Sequence, residues 1–157
     1  MRMTLFLIFA YTVNAFALSP QEEKQYLEGA GMGYAKAAEL NHFPGPMHVL
    51  ELADPLGLSI EQITTTEKLM KLHKAEARAI GAKLVEAERA LDALFRGGKV
   101  SHDDLSRAVT RVAALQGEYR LSHLETHRRM RALLSEDQVR RYDVLRGHAS
   151  KQPAHKH

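Results

Sequence analysis

The chain has 157 residues, a formal net charge of +3, no cysteine, no tryptophan and only 6% aromatic residues. So small a positive surplus does not point to nucleic acid as a partner, and without cysteine neither a disulfide nor a thiolate nucleophile is available. Few aromatics and many aliphatic residues argue against a compact enzyme core and for an all-α fold packed through aliphatic seams.

The first 17 residues have the layout of a secretory signal peptide. A short basic start, Met1-Arg2-Met3, precedes an almost wholly apolar run from Leu5 to Val13, and Ala15-Phe16-Ala17 supplies small residues around a cleavage point. The run is shorter than the roughly 20 residues that a spanning helix needs. Export to the periplasm is therefore expected, with an uncleaved anchor as the alternative.

Residues 18–57 read as an irregular segment with a short helix. Gln21 to Leu27 can begin a helix, but Gly29, Gly31 and Gly33 follow, each costing roughly 1 kcal/mol against Ala in a helix interior. The Gly-Ala-Gly-Met-Gly run lacks the preceding strand and the final spacing of a phosphate loop. Phe43-Pro44-Gly45-Pro46 breaks the chain, and Met47 to Asp54 then reads as a short helix ended by Pro55 and Gly57.

From Ile63 the pattern becomes strict. Ile63, Met70, Ala77, Leu84 and Leu91 repeat every seven residues, and Thr66, His73, Ile80, Ala87 and Leu94 repeat three residues later. These a and d positions predict a helix from about Ser59 to Phe95, roughly 50 Å long. Gly97-Gly98 stops it. Ser101 then caps a second long helix, with Asp103 and Asp104 at the positive end of its dipole. Its expected inner face is Leu105, Val109, Val112, Gln116, Tyr119, His123, Thr126, Met130 and Leu133. Two long helices joined by Gly-Gly predict an antiparallel hairpin. A last helix is expected from Ser135 to about Leu145, followed by a disordered tail, 148–157, that carries three histidines.

Two segments repeat a cap. In Leu58-Ser59-Ile60-Glu61-Gln62-Ile63 and Leu134-Ser135-Glu136-Asp137-Gln138-Val139, Ser is the N-cap and Gln stands at N3 of a capping box. Leu before the cap packs on the apolar residue at N4. With this cap before the first long helix and again before the last, residues 47–146 resemble the Spy/CpxP superfamily of periplasmic stress chaperones and heavy-metal-resistance sensors, whose mark is an LTxxQ motif.

That resemblance implies an LTxxQ domain over residues 58–147, forming a thin, curved, cradle-like homodimer of helical hairpins. It implies ATP-independent binding of unfolded client proteins, or binding of a transition metal with signalling to a membrane protein. In the nickel–cobalt sensors of the superfamily the ligands are histidines before the first motif, a Glu on the first long helix, and a His and a Met before the last motif. Carried over, Met130 matches the methionine, but the histidine position is Thr126, with His127 beside it. His42 and His48 are the upstream counterparts at a different spacing, and the Glu position falls near Met70.

The histidines also carry a reading of their own. His123, His127 and Met130 project to one side of a helix, a nitrogen–sulfur set suited to zinc, copper, nickel or cobalt. With the turn at 97–98, antiparallel partners have numbers summing to about 195, which sets His73 opposite His123. An imidazole buried there needs a partner, such as a shared metal or Glu76. Arg107, Arg111, Arg120, Arg128 and Arg131 form the core of a basic surface that would steer acidic or unfolded clients by long-range attraction. No His-Glu-x-x-His arrangement and no nucleophile–base pair occurs, so catalysis is not expected.

Overall fold

The computed structural model describes residues 17–148. The expected leader 1–17, apart from Ala17, and the tail 148–157, apart from His148, lie outside the described residues. Among these the chain forms seven helices and no strand: α1 (Pro20–Glu28), α2 (Lys36–Glu39), α3 (Pro46–Glu51), α4 (Ala53–Leu56), α5 (Ile60–Arg96), α6 (His102–Leu133) and α7 (Glu136–Leu145). None of them is long and apolar enough to cross a membrane.

The all-α hairpin expected from the heptads is present. α5 begins and ends within one residue of the expected bounds, and its 37 residues make it about 55 Å long. Ala77 and Leu84 on its a positions are fully buried. Thr66 on a d position is fully buried too, its hydroxyl donating to the Gln62 carbonyl at 2.7 Å. On α6, Val112, Tyr119, His123, Thr126 and Met130 are buried as the pattern requires. Val109 and Gln116 are exposed instead, while Leu115 and Ser122 are buried. The inner face therefore steps 112, 115, 119, 122, 126, 130. A heptad drifts off a straight helix of 3.6 residues per turn, and a second layer of helices widens the face that must be covered.

That second layer is the N-terminal segment. It holds four short helices that pack on the hairpin, more order than its glycines and prolines suggest. The glycine cost falls on connections: α1 ends at Gly29, which takes the left-handed conformation (φ 68°) and returns its amide to the last turn. α1 runs antiparallel to α5, with Glu23 paired to Arg89 at 2.5 Å near one end and Gly29 against Ala77 and Arg78 at the other. Between them Gly81 lets the Tyr26 carbonyl approach so closely that a Cβ there would lie 2.1 Å from its oxygen.

Two apolar cores result. One joins Tyr26 to Ala77, Leu84, Val85, Val112, Leu115 and Tyr119. The other joins Val49 and Leu56 to Leu69, Met130, Leu134, Val139 and Tyr142.

Both repeated caps have the expected geometry, Ser59 with Gln62 and Ser135 with Gln138 closing full capping boxes. They also clasp one another. The two glutamine amides exchange hydrogen bonds, Gln62 Nε2 to Gln138 Oε1 at 2.9 Å and Gln138 Nε2 to Gln62 Oε1 at 3.0 Å. Gln62 Nε2 also donates to the Leu133 carbonyl at 2.8 Å. The start of α5 and the start of α7 are thereby fixed side by side.

Candidate functional site

Between the two cores the inner face turns polar. Ser122, His123 and Thr126 are buried there on α6, and the hydroxyls of Ser122 and Thr126 are satisfied by carbonyls of their own helix at 2.8 Å. The imidazoles are not. His73 on α5 meets His123 on α6 as the antiparallel register requires, Nε2 to Nδ1 at 3.0 Å, with the rings edge to face. Their outer nitrogens, His73 Nδ1 and His123 Nε2, are buried without a hydrogen-bond partner among the described residues. Such orphaned groups are rare in a packed interior and call for an explanation.

Beside this pair a cleft of about 720 Å³ opens between the N-terminal segment and the middle of the hairpin. Its wall includes His48, His73, His123 and His127, together with Met32, Met47 and Met70. Three of the four described methionines thus face one cleft with four of the seven described histidines.

Burial first, and then the nearness of the other imidazoles, holds His123 down at about 4. His73 is shifted the same way, by burial and then by His127. Both rings are therefore neutral at physiological pH. A neutral imidazole has one N–H and one lone pair, so of the two outer nitrogens one carries a free lone pair and the other a proton.

His127 lies on the same side of α6, one turn on. Its Nδ1 sits 2.8 Å from the Phe43 carbonyl. A carbonyl only accepts, so Nδ1 carries the hydrogen and, in the neutral ring, Nε2 is left with the lone pair. Gly45 makes room for this ring: a Cβ there would stand 3.0 Å from Nε2.

The remaining expected residues are placed apart. Met130 is fully buried in the second core, packed among Val49, Leu69 and Tyr142, and does not join His127 at the surface. His42 adopts a left-handed backbone (φ 68°) and meets Asp143 on α7, Nδ1 to Oδ2 at 2.6 Å. His48 contacts Glu51 at 3.0 Å. Among the described residues no group of three or more His, Asp or Glu stands ready to hold a metal ion.

The arginines divide. Arg107 pairs with Asp104 at 2.5 Å, Arg128 makes two bonds of 2.7 Å to Glu125, and Arg131 meets Glu136 at 2.6 Å. Arg111 and Arg120 are exposed and have no ion pair among the described residues.

Three participants carry no sequence signal. Glu39 on α2 accepts from the Gly45 amide at 3.1 Å and from the Tyr142 hydroxyl, and lies 3.6 Å from His127 Nδ1. It ties α2, the 43–45 turn, α6 and α7 together. Asp143 and the Phe43 carbonyl hold His42 and His127. Only the Phe-Pro-Gly-Pro run hinted that a fixed turn would matter here.

Comparison with protein-family models, with curated proteins and with solved structures finds no match to this chain.

Proposed function

We propose that the chain works by binding, as a periplasmic, ATP-independent chaperone or stress adaptor of the Spy/CpxP type, acting as a homodimer. The observation that carries this reading is the number of large apolar side chains left open on a thin helical frame. Ile60 is 85% exposed, Val144 68%, Leu72 67%, Leu121 64% and Phe95 59%. These residues are spread along the frame, and single exposed apolar residues are ordinary; it is where apolar side chains adjoin that the surface marks an interaction site. Pro55, Val144 and Leu145 border a shallow groove of about 310 Å³ with Arg140 and Arg141 at its edge. Apolar contact beside guanidinium groups suits segments of an unfolding protein, which expose both aliphatic and acidic residues.

The test is suppression of aggregation. The purified protein without its leader should hold down light scattering from a denatured client at near-equimolar ratio. Replacing Ile60, Leu72 and Leu121 by serine, all three at open positions, should lower that capacity severalfold while leaving the circular dichroism unchanged. No suppression by the parent protein at severalfold molar excess overturns the reading.

A second reading is favoured by one observation of its own. Neutral imidazoles with outer nitrogens unpartnered beside a methionine-lined cleft support binding of a transition metal, as in a resistance or sensor protein that reports to a membrane partner.

A further inference from the structure

We propose that the cleft is a site for a soft monovalent cation, Cu(I) in chemical class, held by His127 Nε2, by one outer nitrogen of the His73–His123 pair and by the Met70 thioether. This rests on the second reading above and names its ion. It does not depend on the chaperone reading.

The donors follow from the geometry. His127 is fixed in the required tautomer by the Phe43 carbonyl at 2.8 Å, so its lone pair is on Nε2, on a ring that lines the cleft. In the His73–His123 pair the 3.0 Å bond uses one nitrogen of each ring, leaving one lone pair on an outer nitrogen. Whichever ring ligates donates its remaining N–H to the other. Both imidazole donors would thus have their second nitrogen engaged, the arrangement that orients metal-bound histidines and raises their basicity. Met70 stands three residues before His73 on α5, close to the same helix face, and lines the same cleft. Met32 and Met47 line it too, a supply of further thioether.

The choice of ion follows from the donors. Thioethers bind soft ions well and hard or borderline divalent ions poorly. The set is also electrically neutral, and the one carboxylate beside His127, Glu39, is already engaged by the Gly45 amide and the Tyr142 hydroxyl. Burying a single positive charge against neutral donors costs less than burying a double one.

The experiment is an anaerobic titration of the protein with Cu(I) in competition with bathocuproine disulfonate. Ag(I) serves as a redox-inert second probe, and Zn(II), Ni(II) and Co(II) are titrated in parallel. One Cu(I) per chain is expected, with the imidazole 15N resonances of His127 and of one of the pair shifted. His127→Gln and Met70→Leu should each weaken binding at least tenfold, whereas His42→Gln and Met130→Leu should leave it unchanged. Met70→Leu conserves volume at a partly exposed position, so it tests the donor without risking the fold.

Tight Cu(I) binding that survives both His127→Gln and Met70→Leu overturns the assignment. Stronger binding of Zn(II), Ni(II) or Co(II), lost in His127→Gln, overturns the soft ion while the metal-binding reading stands. No binding of any of the five ions at micromolar concentration removes both.

Discussion

The two ends of the hairpin use the same pair of helices and close in different ways. At the motif end, α5, α6 and α7 are tied by the glutamine clasp, and the core beneath contains Val49, Leu56, Leu69, Met130 and Tyr142. Toward the turn the described residues form no such clasp, and the nine-residue α1, with Met32 and Tyr34 after it, supplies the third side of the core around Tyr119. Tyr119 donates to the Ala30 carbonyl at 2.7 Å, and Tyr26 to or from Tyr34 at 2.9 Å. Leu18 and Leu91 pack on the outer edge of this core, while Val109 and Phe95, nearer the turn, are open among the described residues. The motif end is thus locked by side chains that join two helix starts, and the turn end is closed by α1 and the following 30–34 connection through the tyrosines. Between them sits the imidazole layer, with the His123 ring 4.8 Å from that of Tyr119.

The largest expected effect tests that fit. In the middle of α5 a Cβ on Gly81 would meet the Tyr26 carbonyl oxygen at 2.1 Å and its carbon at 2.7 Å. These are backbone atoms and cannot swing away. Gly81→Ala gains roughly 1 kcal/mol in helix propensity. It should nonetheless destabilise the protein by about 1–3 kcal/mol, the usual cost of overpacking, because α1 has to lift. Gly117 on α6 is the control: nothing lies within 4 Å of its Cβ position. Gly117→Ala should therefore stabilise by roughly 0.5–1 kcal/mol. Urea denaturation of both variants checks the contrast. Equal signs would mean that the close contact between α1 and α5 does not hold in solution.

The polar layer predicts how stability depends on pH. Both His73 and His123 are shifted down in the folded state, the latter from 6.5 to about 4, chiefly by burial. Between those values the unfolded chain binds protons that the folded chain refuses. The stability contributed by these groups is therefore complete above 6.5 and is lost as pH falls toward about 4. Replacing both residues by leucine would let the two apolar cores meet. Removing both partners of a buried polar pair is close to neutral or stabilising. The double variant should match the parent or exceed it at pH 7, and its stability should fall less between pH 6.5 and 4. A thermal-melt series across that range decides it, and an unchanged acid slope would place the responsible protons elsewhere.

The hairpin was legible because its signals are local and periodic. The heptads from Ile63, the Gly-Gly turn and the Ser–Gln caps fixed α5, α6 and α7 nearly to the residue. The sum rule for antiparallel partners brought His73 to His123, whose numbers add to 196. Where the pattern departs from the structure, the second layer decides. Val109 and Gln116 belong to the strict seam, but Leu115 and Ser122 are buried because the face covered by helices is wider than a two-helix contact. Met130 has the spacing of a surface donor with His127, yet α3, α4 and α7 close over it. Glu39, Asp143 and the Phe43 carbonyl could not be found at all, since each acts across a long stretch of chain. Gly81 is the same case: a glycine in a helix shows a close approach only once its neighbour is placed.

The smallest expected effect concerns the clasp. Each glutamine closes its own capping box, bonds the other amide and donates to a backbone carbonyl, Leu133 for Gln62 and Gly57 for Gln138. Gln62→Ala and Gln138→Ala should each cost about 1 kcal/mol, the net worth of a typical intramolecular hydrogen bond or a little more. If the amides act as a unit, the first substitution already removes what the second would lose. The double variant should then cost less than the sum of the two by at least about 0.5 kcal/mol, a coupling typical of residues in contact. If the boxes act separately, the costs add. Additive losses would reduce the repeated segment to two independent helix caps, with no coupling between the start of α5 and the start of α7.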